Sequence, residues 1–279
     1  MHGTGAFTTF QAMMGGGTIV TLESRHFDPD ELWRAVADHK VTMMAIVGDA
    51  FAKPMLRALN EASDRGEAYD TSSLGLIVSS GVMWSSDVKA GIIEHANCFC
   101  LDSLGSSEGV GFGQSMSGPG TAAQTAKFSI GGRAKVFTDD GREVQPGSGE
   151  IGILALGGYI PLGYYKDPDK TAATFRTFDG VRYSIPGDWA KVAADGTIEL
   201  LGRGSVSINS GGEKIFPEEV EEAVKKHPAV LDALVVGVPD EKFGEAITAV
   251  VAFRPGETAS KDEINVVVRD QLSTFKAPR

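Results

Sequence analysis

The first hundred residues alternate between short apolar runs and helix-like stretches, and this alternation constrains the fold more than any other feature. The runs that predict strands are TIVTL (18–22), VTMMAIV (41–47), LGLIVSS (74–80) and CFCLDSL (98–104). Helices are predicted between them, one capped by Asp28 with Pro29 at its first position, one over 50–62 and one over 86–95. Strands that alternate with helices predict a parallel sheet covered by helices on both faces.

Two polar, glycine-bearing segments follow neighbouring strands of this predicted sheet. They are SSGV (79–82) and LGSSEG (104–109). Ligands of parallel sheets bind beyond the carboxyl ends of the strands, where small residues let the backbone approach. An ordinary turn explains either segment alone, but two neighbouring strand ends of the same character predict a binding site.

The later part of the chain has two further patterns. Turn signals such as TDDGRE, PGSGE and AADGTIE separate short alternating runs, which predicts antiparallel strands. A helix that begins at Pro217, strand-like runs over 231–238 and 246–253, and a helix opened by the capping box Ser260–Glu263 predict an α+β unit. We expect an α/β fold with a partial parallel sheet and flanking helices over 1–127, a small β-barrel-like antiparallel module over 128–203, and a C-terminal α+β lid domain over 204–279.

Composition excludes several classes of partner. The 279 residues carry a net charge of −11 and contain no basic stripe, so binding to nucleic acid is not expected. No apolar run reaches the roughly 18 residues that a membrane span requires. Cys98 and Cys100 are predicted to be buried free thiols rather than a disulfide or a zinc site, which fits a reducing, cytoplasmic compartment.

Six short motifs, taken in order, resemble those of one enzyme family. They are MHGTG (1–5), SSGV (79–82), LGSSEG (104–109), GDW (187–189), GR (202–203) and INSGGEKI-PEEVE (208–221). Each is weak alone, but their order and spacing are similar to those of the AMP-forming acyl-CoA synthetases, with the carrier-protein adenylation domains and luciferases. The resemblance covers essentially the whole chain. It implies a two-step reaction in which ATP and a carboxylic acid give an acyl-adenylate, and coenzyme A then displaces AMP.

The resemblance also implies roles for individual residues. Glu108 matches the ligand of Mg²⁺, and Ser107 matches the hydroxyl residue that touches phosphate. Asp188 matches the acceptor of both ribose hydroxyls, and Arg203 an arginine that holds the nucleotide. The remaining implied positions are Ser80, Gly81 and Val82 in the adenine and acyl pockets; Ser103, Leu104 and Gly105 at the nucleotide; His2, Gly81 and Gly109 at the acid; Gly204 and Ser205 at the hinge; and Gly211 and Gly212 at coenzyme A. Glu108, Asp188 and Arg203 have plainer alternatives, namely a solvated turn acid, a cap and a surface charge.

Three departures from the family pattern bear on activity. Leu104 stands where the family often has a tyrosine that stacks on adenine. The phosphate loop and the catalytic lysine in its Gly-Lys context have no counterpart in the 279 residues, and Lys276 lacks that context. We therefore expect a carboxy-terminal portion of a synthetase that adenylates poorly or not at all by itself.

The sequence gives only an indication of which acid is the substrate. Gly109, Gly111 and Gly113 could leave room for a long-chain or bulky acid, or could simply ease packing. Two other functions stay open: a carrier-protein adenylation domain for amino acids, and a non-catalytic binding module that keeps the fold. An exposed sheet edge would also allow the chain to pair with itself.

Overall fold

The computed structural model describes residues 3–279, apart from the side chains of Val110 and Ser205. His2, which the motif resemblance places near the acid, lies outside the described residues. Within them, the strands form an eleven-stranded sheet and a separate four-stranded sheet. No helix of this described part combines the length and the apolar character needed to cross a bilayer.

The amino-terminal part is a parallel sheet with helices packed on it. Its elements are α1 (Gly3–Met14), α2 (Pro29–His39), β1 (Met43–Ile46), α3 (Asp49–Asp64), β2 (Leu76–Ser80), α4 (Ser86–Ala96), β3 (Phe99–Ser106) and β4 (Gly109–Ser117). Strands β1, β2 and β3 are parallel, and β4 returns antiparallel to β3. Trp33 from α2, Ile77 from β2 and Ile92 from α4 lie in the shared core.

Local signals account for where α2 begins. The carboxylate of Asp28 accepts hydrogen bonds from the backbone N–H groups of Asp30 and Glu31, and Pro29 occupies the first helical position. These contacts satisfy donors that a helix leaves free at its start. The predicted cap of α2 is therefore confirmed. Cys98 and Cys100 are free and buried, as predicted.

The strand predicted over TIVTL is wrong. Residues 18–22 form no strand, and Ile19 and Val20 are 42% and 36% exposed. A run of β-branched residues favours the extended conformation, but a strand also needs a neighbour that accepts its backbone hydrogen bonds. No strand of the described residues pairs with this segment. Gly3, Thr4 and Gly5 of the MHGTG motif instead lie in α1, which no start signal announces.

The middle of the chain continues the same sheet with antiparallel strands. These elements are β5 (Lys127–Ile130), β6 (Ala134–Phe137), β7 (Ile151–Gly157), α5 (Pro168–Thr174), β8 (Phe175–Phe178), β9 (Val181–Ser184), β10 (Asp188–Val192) and β11 (Ile198–Arg203). Pairing of β4 with β5 joins them to the parallel strands. The hydrogen-bond ladder thus runs from β1 through β11 to β8, and the boundary near 128 stays a prediction.

The carboxy-terminal part has its own sheet and core. It consists of β12 (Ile208–Ser210), β13 (Glu213–Ile215), α6 (Pro217–Lys225), β14 (Val230–Asp240), β15 (Gly244–Phe253) and α7 (Lys261–Gln271). Ile215, Val220, Val224, Ile247 and Val268 fill the core beneath its two helices. The predicted capping box is confirmed, since the Ser260 hydroxyl and the Glu263 carboxylate each accept the other residue's backbone N–H. The predicted fold class, an α/β sheet with an antiparallel extension and an α+β unit, is confirmed.

Candidate active site

Glu108 lies at the tip of a tight hairpin at the carboxyl end of β3. Ser106 pairs with Gly109 across this hairpin, so Ser107 and Glu108 form its two-residue turn. The chain therefore projects the Glu108 side chain beyond the sheet, where ligands of parallel sheets bind.

The strongest contact of the Glu108 carboxylate comes from a tyrosine distant in sequence. The hydroxyl of Tyr164 donates to Glu108 Oε1 at 2.5 Å. This hydrogen bond lowers the pKa of Glu108 from its ordinary value, against the opposing effect of burial, and the charge of Arg203 lowers it further. Glu108 is therefore an ionised, oriented carboxylate at neutral pH.

Asp188 and Arg203 face each other at the adjoining ends of β10 and β11. They are paired in the strand register, and Arg203 Nε lies 3.4 Å from Asp188 Oδ1. The Asp188 side chain is only 16% exposed, whereas that of Arg203 is 58% exposed. Burial raises the pKa of Asp188, the Arg203 guanidinium opposes this rise, and the negative charge of Glu108 adds to it. The structure thus brings Glu108, Asp188 and Arg203 into one electrostatic neighbourhood.

The segment after β2 borders the same end of the sheet. Gly81 has a φ of 94°, a left-handed conformation that glycine adopts without strain, and Val82 is 57% exposed. Ser80 ends β2 and pairs with Ser103 of β3. Helix α1 approaches here, because the Thr4 hydroxyl donates to the Ser80 carbonyl oxygen at 3.4 Å.

Leu104 and the glycines of β4 have packing roles in this structure. Leu104 packs against the core of the antiparallel strands, while its neighbour Gly105 is exposed. A side chain at Gly109 would meet Leu156 Cδ2 at 2.8 Å, and one at Gly113 would meet the Ser129 carbonyl oxygen at 3.0 Å. Tight packing therefore explains two of the three glycines that the sequence associates with the acyl pocket. Gly111 alone has open space around it.

The predicted hinge and glycine pair lie in the carboxy-terminal part. Gly211 and Gly212 form the turn between β12 and β13, with φ values of 63° and 86°, as a two-residue hairpin loop requires. Gly204 follows β11 directly and lies in a short 3-10 turn with Ser205. A side chain at Gly204 would meet Trp189 Nε1 at 2.3 Å. The side chain of Ser205 lies outside the described residues.

Trp189 joins the two parts of the molecule. Lys214 of β13 places its ammonium 3.6 Å from the centre of the Trp189 ring, and Phe216 lies 6.3 Å from that ring. A cation over an aromatic face is attracted by the ring's electron density. The small unit therefore docks through Lys214 beside Asp188.

Sequence reasoning missed Tyr164 and Lys214. Tyr164 is 56 positions from Glu108, and only the fold brings the two together. The available signal was the pair Tyr164 and Tyr165, which Lys166 separates from the Asp167–Pro168 helix start. The ammonium of Lys276, to which the sequence analysis assigns no catalytic role, lies 2.6 and 2.7 Å from the two carboxylate oxygens of Glu219.

Whether a divalent cation fits this site depends on the side chains available to coordinate it. The described residues contain no group of three or more His, Cys, Asp or Glu side chains arranged to hold a metal. Mg²⁺ commonly binds one or two carboxylates together with substrate phosphates and water. A single ionised, oriented carboxylate at Glu108 fits that mode of binding.

Comparison with known proteins places the chain in a family. The sequence profile of the AMP-binding enzyme family matches residues 1–165, and that of the AMP-binding enzyme C-terminal domain matches residues 219–279. The chain belongs to the AMP-binding enzyme family. The resemblance drawn from the six motifs is therefore confirmed.

Curated relatives in this family are CoA ligases. The chain is 48% identical over 287 residues to a 3-oxocholest-4-en-26-oate–CoA ligase of Rhodococcus rhodochrous. It is 49% identical over 282 residues to a medium/long-chain-fatty-acid–CoA/3-oxocholest-4-en-26-oate–CoA ligase of Mycolicibacterium smegmatis. Both matches include the whole of this chain but only 50% and 51% of the relatives, so the chain spans about half of their length.

Solved structures of AMP-binding enzymes share this fold. ATP-bound MatB from Rhodopseudomonas palustris superposes with a TM-score of 0.78 at 25% identity, over 100% of this chain and 53% of that one. The o-succinylbenzoate CoA synthetase MenE of Bacillus subtilis, in complex with an acyl-adenylate, gives 0.72 at 24% identity, over 99% of this chain and 53% of that one. The second likeness concerns the fold alone.

Proposed function

We propose that this AMP-binding enzyme chain is part of a ligase that activates a medium- or long-chain fatty acid, or a bulky acid such as a steroid side-chain carboxylate, and transfers it to coenzyme A. One observation supports the proposal: Asp188 pairs with Arg203, and both lie near enough to Glu108 for these charges to shift the pKa values of Glu108 and Asp188. The relatives' named activities support the substrate class.

The first half-reaction forms an acyl-adenylate. A carboxylate oxygen of the acid attacks the α-phosphorus of ATP, a phosphorus–oxygen bond forms, and pyrophosphate leaves. Asp188 accepts hydrogen bonds from the ribose hydroxyls, which fixes the sugar, and Arg203 donates to the nucleotide beside it. Ser107 and Glu108 face the phosphates. Bound Mg²⁺ supplies charge neutralisation at those phosphates, with Glu108 as its protein ligand.

The second half-reaction transfers the acyl group. The thiol of coenzyme A loses its proton to solvent, its sulfur attacks the acyl carbonyl carbon, a thioester bond forms, and AMP leaves with the electrons of the broken carbon–oxygen bond. Rotation about Gly204 and Ser205 would bring the Gly211–Gly212 turn to the nucleotide cleft. That turn has no side chains to obstruct the pantetheine arm.

The proposal also covers the binding partners, the cellular compartment and self-association. The partners are small molecules, namely the acid, ATP and coenzyme A. A cytoplasmic setting agrees with two free thiols in the core. Self-association is supported by the apolar face of α1, where Phe7, Phe10, Met13 and Met14 are 59–89% exposed.

Binding of adenylate analogues tests the proposed substrate class. The 279-residue chain is titrated calorimetrically with acyl-adenosine sulfamates that carry a long-chain, a steroid side-chain or an acetyl group. Burial of extra apolar surface should make the first two bind about tenfold or more tightly than the acetyl analogue. Asp188→Asn should weaken all three by roughly tenfold, because a charged hydrogen-bond acceptor is lost.

The exposed Asp139→Asn variant is the matched control and should bind like the wild type. An aminoacyl-adenosine sulfamate is titrated as a fourth ligand. Preference for it would favour a carrier-protein adenylation domain, and failure to bind any adenylate would contradict the proposal. Pyrophosphate release from ATP by the 279-residue chain alone should stay near background, since it has no phosphate-loop or Gly-Lys motif.

A further inference from the structure

The loop between β7 and α5 contains several highly exposed apolar and aromatic side chains. Tyr159, Leu162 and Tyr165 are 98%, 95% and 88% exposed. Tyr164 lies among them but is half-buried, with its hydroxyl on Glu108 and its ring 5.8 Å from that of Phe175. The loop therefore turns one tyrosine inward while its neighbours point to solvent.

The backbone of Tyr164 is held from the side of α5. Its N–H donates to Thr171 Oγ1 at 2.9 Å, and the Thr171 hydroxyl donates to the Asp167 carbonyl oxygen at 2.6 Å. The Asp167 carboxylate also caps the start of α5 by accepting from the Lys170 N–H at 2.9 Å. Tyr164 is thereby tied to the first turn of a helix.

Two cationic side chains, Arg182 and Lys170, also hold Tyr164 and the loop before it. Arg182 of β9 donates to the carbonyl oxygens of Pro161 and Leu162 at 2.8 and 2.7 Å. The Lys170 ammonium lies 4.3 Å from the centre of the Tyr164 ring. The backbone, the ring and the preceding loop are each fixed, so the hydroxyl is a preorganised donor.

Glu108 gains orientation from such a donor because it lies on a short, partly exposed turn. A glutamate on a two-residue turn has several free side-chain torsions, and ordering them costs free energy. The Tyr164 hydrogen bond engages Oε1 and leaves Oε2 outside that contact. A carboxylate fixed at one oxygen presents the other in a defined direction.

We propose that Tyr164 is a positioning residue, which holds Glu108 so that its second carboxylate oxygen faces a divalent cation on the nucleotide phosphates. This inference rests on the proposed function, because that function supplies the cation. Removing a residue that hydrogen-bonds to a metal ligand commonly weakens metal binding by about 10–100-fold.

The test measures metal binding directly. The 279-residue chain is mixed with a non-hydrolysable ATP analogue and titrated with Mn²⁺, and free Mn²⁺ is followed by electron paramagnetic resonance. Tyr164→Phe keeps the ring and its packing but removes the hydroxyl. It should weaken Mn²⁺ binding by about tenfold, while AMP affinity without metal stays unchanged.

Tyr165→Phe is the matched control, since it removes the same hydroxyl from the exposed neighbour, and it should bind Mn²⁺ like the wild type. Thermal unfolding of both variants checks that the fold is retained. Equal Mn²⁺ affinity in Tyr164→Phe and Tyr165→Phe would overturn the inference. So would a loss of AMP affinity as large as the loss of Mn²⁺ affinity, because it would indicate a general structural effect.

The Glu108→Gln variant distinguishes failure of this inference from failure of the proposed function. If Glu108→Gln weakens Mn²⁺ binding and Tyr164→Phe does not, the positioning role fails and the proposed metal ligand stands. If Glu108→Gln leaves Mn²⁺ binding unchanged, or the wild type binds no Mn²⁺, the metal assignment in the proposed function fails, and the role of Tyr164 fails with it.

Discussion

Lys89 is a fully buried cation that holds three elements together. It lies on α4 with none of its surface exposed, and its ammonium donates to the Asp102 carboxylate of β3 and to the Gln124 carbonyl oxygen. Burial raises the pKa of Asp102 even though the charge of Lys89 opposes the rise. The pair therefore stabilises the fold only while both partners are present.

Lys89→Met should lower the free energy of unfolding by about 3–5 kcal/mol, because it leaves the Asp102 charge buried without a partner. Urea unfolding followed by circular dichroism measures this change.

Lys226→Met breaks the exposed pair with Asp87, whose atoms are 3.5 Å apart, and serves as the control. It should cost under about 1 kcal/mol. The double variant Lys89→Met with Asp102→Leu should recover most of the loss. Similar small effects from Lys89→Met and Lys226→Met would contradict this account.

Residues of the site differ in how far the sequence reveals them. Glu108, Asp188 and Arg203 each belong to a short motif, and their motifs adjoin strand ends, so a common location follows from sheet topology. Tyr164 belongs to a loop that has no such topological reason to reach Glu108. Its position depends on Arg182 and Thr171, which are tertiary contacts rather than a local pattern.

At the scale of elements, Gly48 sets the junction between β1 and α3. It has φ 56° and ψ −155°, a conformation essentially restricted to glycine. An added side-chain carbon would lie 2.5 Å from the Met83 carbonyl oxygen and 2.8 Å from that of Val82. The junction thus packs directly against the segment after β2 that borders the site.

Gly48→Ala should destabilise the chain by about 2–3 kcal/mol or more, because backbone strain adds to a steric clash. Gly66→Ala is the matched control, since Gly66 also has a positive φ, 73°, but nothing within 4 Å of an added carbon. Its cost should be smaller, about 1–2 kcal/mol. Thermal unfolding compares the two variants, and equal losses would show that the clash at Gly48 is relieved.

Helices with a buried face were predictable, whereas α1, which has none, was not. Helix α2 has the Asp28 cap, and α7 has its capping box and buries Ile264 and Val268. The TIVTL segment has β propensity but pairs with no strand within the described residues. Strand pairing depends on a neighbour in the sheet, which the sequence of the segment itself does not reveal. Helix α1 buries none of its side chains, so no apolar periodicity against a core marks it.

At the scale of the whole molecule, Glu218 lies where the two sheets meet. It sits in the first turn of α6, and an added side chain at Gly202 of β11 would touch its Oε2 atom at 2.3 Å. Among the described residues, Glu218 Oε2 is buried without a hydrogen-bond partner. Burial raises the pKa of Glu218, and the nearby charges of Glu221 and Asp188 add to this effect.

Stability should therefore depend on pH through Glu218. An acid whose pKa is higher in the folded state binds more protons there, so the free energy of unfolding falls as pH rises from the unfolded pKa through the folded one. At pH values above the folded-state pKa, the stability that protonated Glu218 contributes is lost completely. Glu218→Gln should gain stability relative to wild type at neutral pH and lose this advantage at acidic pH, in urea unfolding across pH 4–8. The exposed Glu257→Gln is the control, and a pH-independent difference for Glu218→Gln would contradict the assignment.

The contact that covers Trp189 would give the molecule an optical reporter of the proposed domain motion. The chain has three tryptophans, and Trp33 and Trp84 lie in the core of the parallel sheet with 0% and 1% of their surface exposed. Of the three, Trp189 alone contacts Gly204 of the proposed hinge and Lys214. In the proposed rotation, the ammonium would leave the indole and water would reach it. The emission of Trp189 would then follow the rotation in real time, without any attached dye.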